Sequence, residues 1–216
     1  MSLTDRGNPH LIADEAALRA LFGETHEMAR LKCLDALDTH ARAFVARSPF
    51  VCLSTQDADG RADVSPRGDP PGFVAVLDER TLAIPDRPGN NRLDSLANIL
   101  ANPAVGLLFL IPGFDETLRV NGRARLSTDP ALLGPMAVNG RVPTLAIVVA
   151  VDEVFLHCAK ALRRSGLWDP ERRQDRRELP SLSRMVLEQT TGAPEEPGAM
   201  ERIDEALEAE YRASMY

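Results

Sequence analysis

Lysine is nearly absent from this chain. Of its 25 basic residues only Lys32 and Lys160 are lysines. Codon usage accounts for such a bias as readily as chemistry does, so the placement of the arginines carries more than their number. Cysteine is scarce as well. Cys33, Cys52 and Cys158 are odd in number and far apart, which excludes a disulfide scaffold and offers no paired metal ligands. Buried thiols in a reduced compartment are expected, and no metal site is. There is no apolar run near the roughly 20 residues that span a bilayer. The opening MSLTDRGNPH has no basic-then-apolar leader, so a cytoplasmic protein without membrane contact is expected. The net charge of −7 argues against a general nucleic-acid or membrane-surface binder. No G-x-G-x-x-G, G-x-S-x-G, C-x-x-C or H-x-x-H occurs, which disfavours a dinucleotide fold, a nucleophile elbow and the common metal pairs.

What remains is patterned. Residues 13–22 have apolar positions at helical spacing, and a longer helix is expected over 25–46 with Met28, Leu31, Leu34, Leu37 and Phe44 on one face. The middle reads as short strands. Residues 50–55 and 61–65 flank the turn Asp57-Ala58-Asp59-Gly60, and 73–77 and 81–84 flank Asp78-Glu79-Arg80. A helix over 91–101 stops at Asn102-Pro103. A continuously apolar strand, 105–111, follows. The strand 118–127 alternates, with Leu118, Val120, Gly122, Ala124 and Leu126 on one face. A short helix over 129–138 and strands over 145–151 and 154–157 complete the middle. Helices over 182–190 and 201–211 lie beyond it. Many short strands without successive βαβ units predict a mainly β chain with helices (α+β), built on an antiparallel barrel rather than a parallel sheet.

The segment 65–103 is the richest in chemistry. It sets Arg67 after one strand, Pro85-Asp86-Arg87 after another, and Asn90-Asn91-Arg92 at the mouth of a helix. Guanidinium groups pair bidentately with phosphate oxygens, and the unpaired N–H groups of a helix start attract the same anion. Either asparagine could equally cap the helix, the commoner use of such a residue there.

This segment resembles the FMN-binding split barrel of pyridoxamine 5′-phosphate oxidase-related proteins. The likeness is carried by Leu82-Ala83-Ile84-Pro85-Asp86, Asn90-Asn91-Arg92, Leu100-Ala101-Asn102-Pro103 and Val120-Asn121-Gly122-Arg123-Ala124, and by Arg67 ahead of the first hairpin. It spans roughly residues 50–158 and implies an antiparallel Greek-key split β-barrel over 49–158. Residues 1–48 would be a helical extension, and 159–216 would pack on the barrel or on a dimer partner. It also implies an FMN cofactor held by Arg67, Pro85, Asp86, Arg87, Asn90, Asn91 and Arg92, with a homodimer placing the flavin between subunits. In the family the end of the barrel can reach the partner's cofactor. On that basis Lys160 and Arg164 are expected near the flavin ring, with Trp168 covering the ring or substrate or else lying in the core. The activity implied is a flavin-dependent oxidoreductase acting on a small substrate. A flavin store or sensor, or a deazaflavin or haem binder on the same fold, are the alternatives, with Arg119, Arg123 and Arg125 available for a longer deazaflavin tail.

Two departures point to a branch other than the vitamin B6 oxidase. Gly72 stands where that oxidase has a phosphate-site lysine, and the chain ends AEYRASMY in place of the oxidase's Arg-Leu-x-Pro segment.

Overall fold

Alternation along β6 (Thr117–Ser127) organises the second half of the molecule. Leu118, Val120 and Ala124 point inward and are buried, while Arg123 and Arg125 point outward and are exposed. β6 pairs antiparallel with β5 (Ala104–Leu110) on one side and with β7 (Ala146–His157) on the other. The computed structural model, which describes residues 8–216, builds one seven-stranded sheet on this centre. Its strands also include β1 (Phe50–Gln56), β2 (Ala62–Gly68), β3 (Ala75–Asp78) and β4 (Thr81–Pro85), in the order β2-β1-β5-β6-β7-β4-β3. Every pairing is antiparallel, and β2 and β3 are left as edges, so the barrel is split. The mainly β, antiparallel split-barrel expectation holds.

The core lies inside this curled sheet, where Val51, Leu53, Leu82, Leu107, Phe109, Leu118, Val120, Ile147 and Val149 are all at most 1% exposed. Two helices close it, α3 (Thr39–Val45) through Phe44 and Val45, and α4 (Asp94–Ala101) through Leu96 and Ile99. Gly122 sits on β6 tight against the backbone of β7. A Cβ there would lie 2.1 Å from the Ala150 carbonyl oxygen, so only glycine fits. Beside it the register slips by one residue: Asn121 faces Glu153 while Gly122 faces Val151. The two strands expected over 145–157 are therefore one strand bent by a bulge.

Several boundaries differ from expectation for identifiable reasons. The helix expected over 25–46 is broken. Asp38 restarts the chain by accepting the Ala41 N–H at 2.7 Å, and the Leu37 N–H is drawn to the Glu79 carbonyl at 2.7 Å. β5 is not buried throughout; every second residue of it is only half-buried. β2 runs three residues further than expected, through Pro66 and Arg67, because a proline is tolerated on an edge strand. The thiols are not buried: Cys33 and Cys52 are half-buried and Cys158 is exposed.

The chain divides into two compact units, Met1–Leu34 and Asp35–Tyr216. In the first, residues 8–34 carry α1 (Glu15–Phe22), capped by Asp14, and α2 (Glu27–Leu31), and neither helix buries a residue. The second unit also holds α5 (Pro130–Leu133), α6 (Lys160–Ser165), α7 (Leu182–Gln189) and α8 (Ala199–Ser214). Among the described residues no helix is long and apolar enough to cross a membrane.

Candidate binding site

Because side chains alternate along a strand, Asp63, Ser65 and Arg67 share the inner face of the β2 edge. They look toward the start of α4 across a cavity of about 540 Å³, well within the range of small-molecule sites. The end of β4 supplies Asp86 and Arg87 to the same cavity. The loop 88–93 forms one wall, and Arg141, Val142 and Thr144 form another.

At the β2 end a chain of hydroxyls and carboxylates fixes the wall. Asn98 donates to the Thr55 hydroxyl at 3.0 Å, and Thr55 and Ser95 both donate to one oxygen of Asp63, at 3.2 and 2.8 Å. With the Ser95 proton committed to Asp63, the 3.0 Å contact between Ser65 and Ser95 has Ser65 as donor. Thr55 and Ser95 are buried, so this network is satisfied and stiff. Arg67 Nη1 lies 3.1 Å from Asp86, with both side chains only about a fifth exposed. Its Nε is buried and, like the Nε of Arg119, has no hydrogen-bond partner among the described residues. A buried donor left unmade costs about 1–3 kcal/mol, which is an observation in search of an acceptor.

The helix mouth beside it differs from expectation. α4 begins at Asp94, and its cap position is Leu93, in the left-handed region at φ 60° with no side-chain cap. Neither asparagine caps it. Asn90 Oδ1 accepts the Arg92 N–H at 3.1 Å in a local turn, and Asn91 is itself left-handed at φ 57°. Asparagine adopts that region readily but leucine seldom does, so the strain in this loop lies at Leu93, where it borders the cavity. The first-turn N–H groups of α4 stay uncapped by any side chain. Arg92 is 74% exposed and paired with Asp94 at 2.7 Å.

The other end is fully paired. Arg87 Nε donates to Asp69 Oδ2 at 2.6 Å and Nη1 donates to the Met136 carbonyl at 3.0 Å. The Asp69 side chain is 1% exposed, and its second oxygen accepts the Tyr216 hydroxyl at 2.5 Å. The Arg87 guanidinium carbon stands 5.9 Å from the Tyr216 ring centre. Hydrogen bonding to Asp69, then burial, holds the Tyr216 phenol above its ordinary pKa. Folding-linked contacts of the neutral phenol are thus complete below the ordinary tyrosine value and are lost only as pH rises past the elevated one.

Six residues expected at the site therefore line one cavity: Arg67, Asp86, Arg87, Asn90, Asn91 and Arg92. Pro85 is buried in β4, paired with Ala146, and does not line it. Lys160, Arg164 and Trp168 lie elsewhere. Lys160 and Arg164 are both exposed on α6, and Trp168 donates its indole N–H to the Phe114 carbonyl at 2.7 Å. Arg119, Arg123 and Arg125 do not line the cavity either; Arg119 stacks on Phe155 at 4.4 Å. Sequence reasoning missed Asp63, Ser95, Asp69 and Tyr216. The alternation of Asp63, Ser65 and Arg67 was a usable signal for the first of these, whereas Tyr216 had none.

A split antiparallel barrel with a polar cleft between its β2 edge and the mouth of one helix defines the class of protein. The chain belongs to the pyridoxamine 5′-phosphate oxidase family, whose model matches residues 37–158. The match runs from α3 to the end of β7 and leaves out α6, α7 and α8. No curated protein matches the chain. Solved structures that are similar include HupZ from Group A Streptococcus, at 16% identity over 55% of this chain and 92% of that one, with a TM-score of 0.46. General stress protein 26 from Bacillus anthracis is 15% identical over 53% and 88%, with a TM-score of 0.42. An FMN-binding protein from Syntrophomonas wolfei is 12% identical over 54% and 88%, also with a TM-score of 0.42.

Proposed function

We propose that this chain binds FMN in the cavity between β2 and α4, and acts as a cytoplasmic flavin-dependent oxidoreductase on a small organic substrate. The observation that carries the reading is the buried, unpartnered Nε of Arg67, beside the uncapped start of α4. A phosphate oxygen is the acceptor that both features fit, since a charge-assisted bond to Arg67 and the helix N–H groups act on the same anion. Asp86 holds the guanidinium in place, and the Ser65–Ser95–Asp63–Thr55 network keeps the wall rigid. The flavin supplies the redox chemistry; the protein's own residues bind, orient and shield it.

The rim supports a dimer. Leu93 and Val142 line the cavity yet are each 55% exposed, apolar surface of the kind a second subunit covers. In that homodimer Lys160, Arg164 and Trp168 of one subunit serve the cavity of the other, which explains why no single chain gathers them.

Titration of the purified chain with FMN, followed by flavin fluorescence and by the visible spectrum, tests the reading. Saturable binding with quenching is expected. A colourless protein that leaves FMN fluorescence unchanged at millimolar concentration would contradict it.

A further inference from the structure

Nothing in the sequence singles out Tyr216, yet the structure sets its side chain in the wall of the proposed flavin cavity. It arrives there at the end of α8, a 16-residue helix that buries only Ala199. That helix packs chiefly against α7 and has little reason of its own to stay close to the barrel. Its outward residues include Glu201, Glu205, Glu208 and Glu210, and its side-chain bonds among the described residues stay local: Arg202 with Glu196, and Ser214 with the Glu210 carbonyl. Among the described residues the hydrogen bond from Tyr216 to Asp69 is the one hydrogen bond or ion pair that ties this last segment to the barrel. Its acceptor is well chosen. Asp69 is buried and fixed by Arg87, and Arg87 lines the cavity as well. A hydrogen bond to a buried, immobile carboxylate is stronger and better directed than one to a solvated side chain.

We infer that Tyr216 is a ligand-contacting wall residue that latches the end of α8 to the cavity wall, so that α8 is seated most firmly when a flavin fills the site. The ring offers an apolar, planar surface to the ligand, and the hydroxyl fastens it through Asp69 to Arg87. The coupling is reciprocal: whatever tightens the ligand's fit against the ring also holds the helix, and freeing the helix loosens the ligand. This rests on the flavin reading above, but it assigns a residue and a moving part outside the matched family region.

The test follows hydrogen exchange of residues 199–214 in the full chain, with and without FMN, alongside FMN affinity. In the wild type, FMN is expected to slow exchange across α8. Tyr216→Ala should bind FMN about tenfold more weakly, the size of one well-placed hydrogen bond with its packing, and should abolish that slowing. Tyr216→Phe, which keeps the ring, should retain part of the affinity and lose most of the slowing. Tyr211→Ala, on exposed α8 surface, should behave as wild type. Wild-type affinity and undiminished FMN-dependent slowing in Tyr216→Ala would overturn the latch while leaving the flavin reading standing. Failure of the wild type itself to bind FMN would overturn both.

Discussion

Two arginines lining one cavity, Arg67 and Arg87, carry the same charge and each faces an aspartate, yet they are built for different work. Arg67 leaves a buried Nε without a partner. Arg87 has Nε on Asp69 and Nη1 on the Met136 carbonyl. The first is a donor held ready for something absent from the chain, and the second is a brace. Counting charge near a pocket would score them alike. Following each donor to its acceptor separates these two, and position completes the distinction: Arg119 Nε is also buried and unpartnered among the described residues, but Arg119 does not line the cavity.

The largest effect should fall on stability, at the braced side. Arg87→Ala leaves the 1%-exposed Asp69 carboxylate with only the Tyr216 hydroxyl. Orphaning one partner of a buried pair costs about 3–5 kcal/mol, and the remaining phenol bond favours the lower end. Urea unfolding should show a loss of about 3 kcal/mol at unchanged slope. A loss under about 1 kcal/mol would mean that Arg87 is not the brace, and the contrast with Arg67 would collapse.

A smaller effect sharpens the comparison from outside the cavity. Arg164 is exposed in its own chain, and serves, in the proposed dimer, the partner's site. Arg164→Ala should weaken FMN by about threefold, the scale of a partly solvated charge. Mixing Arg164→Ala with Arg67→Ala subunits should restore one full-affinity site per mixed dimer. If mixing restores none, the segment after β7 does not reach across.

The barrel was legible because its signals were local. Alternation along 118–127, turn residues at 57–60 and 78–80, and Asn102-Pro103 after a helix each mark an element from within a few residues. The gathering of Arg67, Asp86, Arg87 and Asn90-Asn91-Arg92 followed from reading strand ends and a helix mouth. What could not be read was pairing at a distance. Asp69 meets Tyr216 across almost the whole second unit, and Ser95 reaches Asp63 from another element. Nor did composition show that α4 would begin three residues late, on a left-handed Leu93. The asparagine caps that local preference favours lost to the loop geometry beside the cavity. The long N-terminal helix failed for a similar reason: a tertiary bond from Leu37 to Glu79 overrode helical spacing.

The central claim is that the β2–α4 side holds a flavin through its phosphate, with Arg67 as the donor. The most direct measurement compares the affinities of FMN and riboflavin, which differ only in that phosphate, for the wild type and for Arg67→Ala. The account predicts that the wild type prefers FMN, and that Arg67→Ala loses about 1.5–3 kcal/mol of FMN binding, roughly ten- to a hundredfold, with riboflavin affinity nearly unchanged. Equal affinity of the wild type for both flavins, or an undiminished preference for FMN in Arg67→Ala, would contradict it.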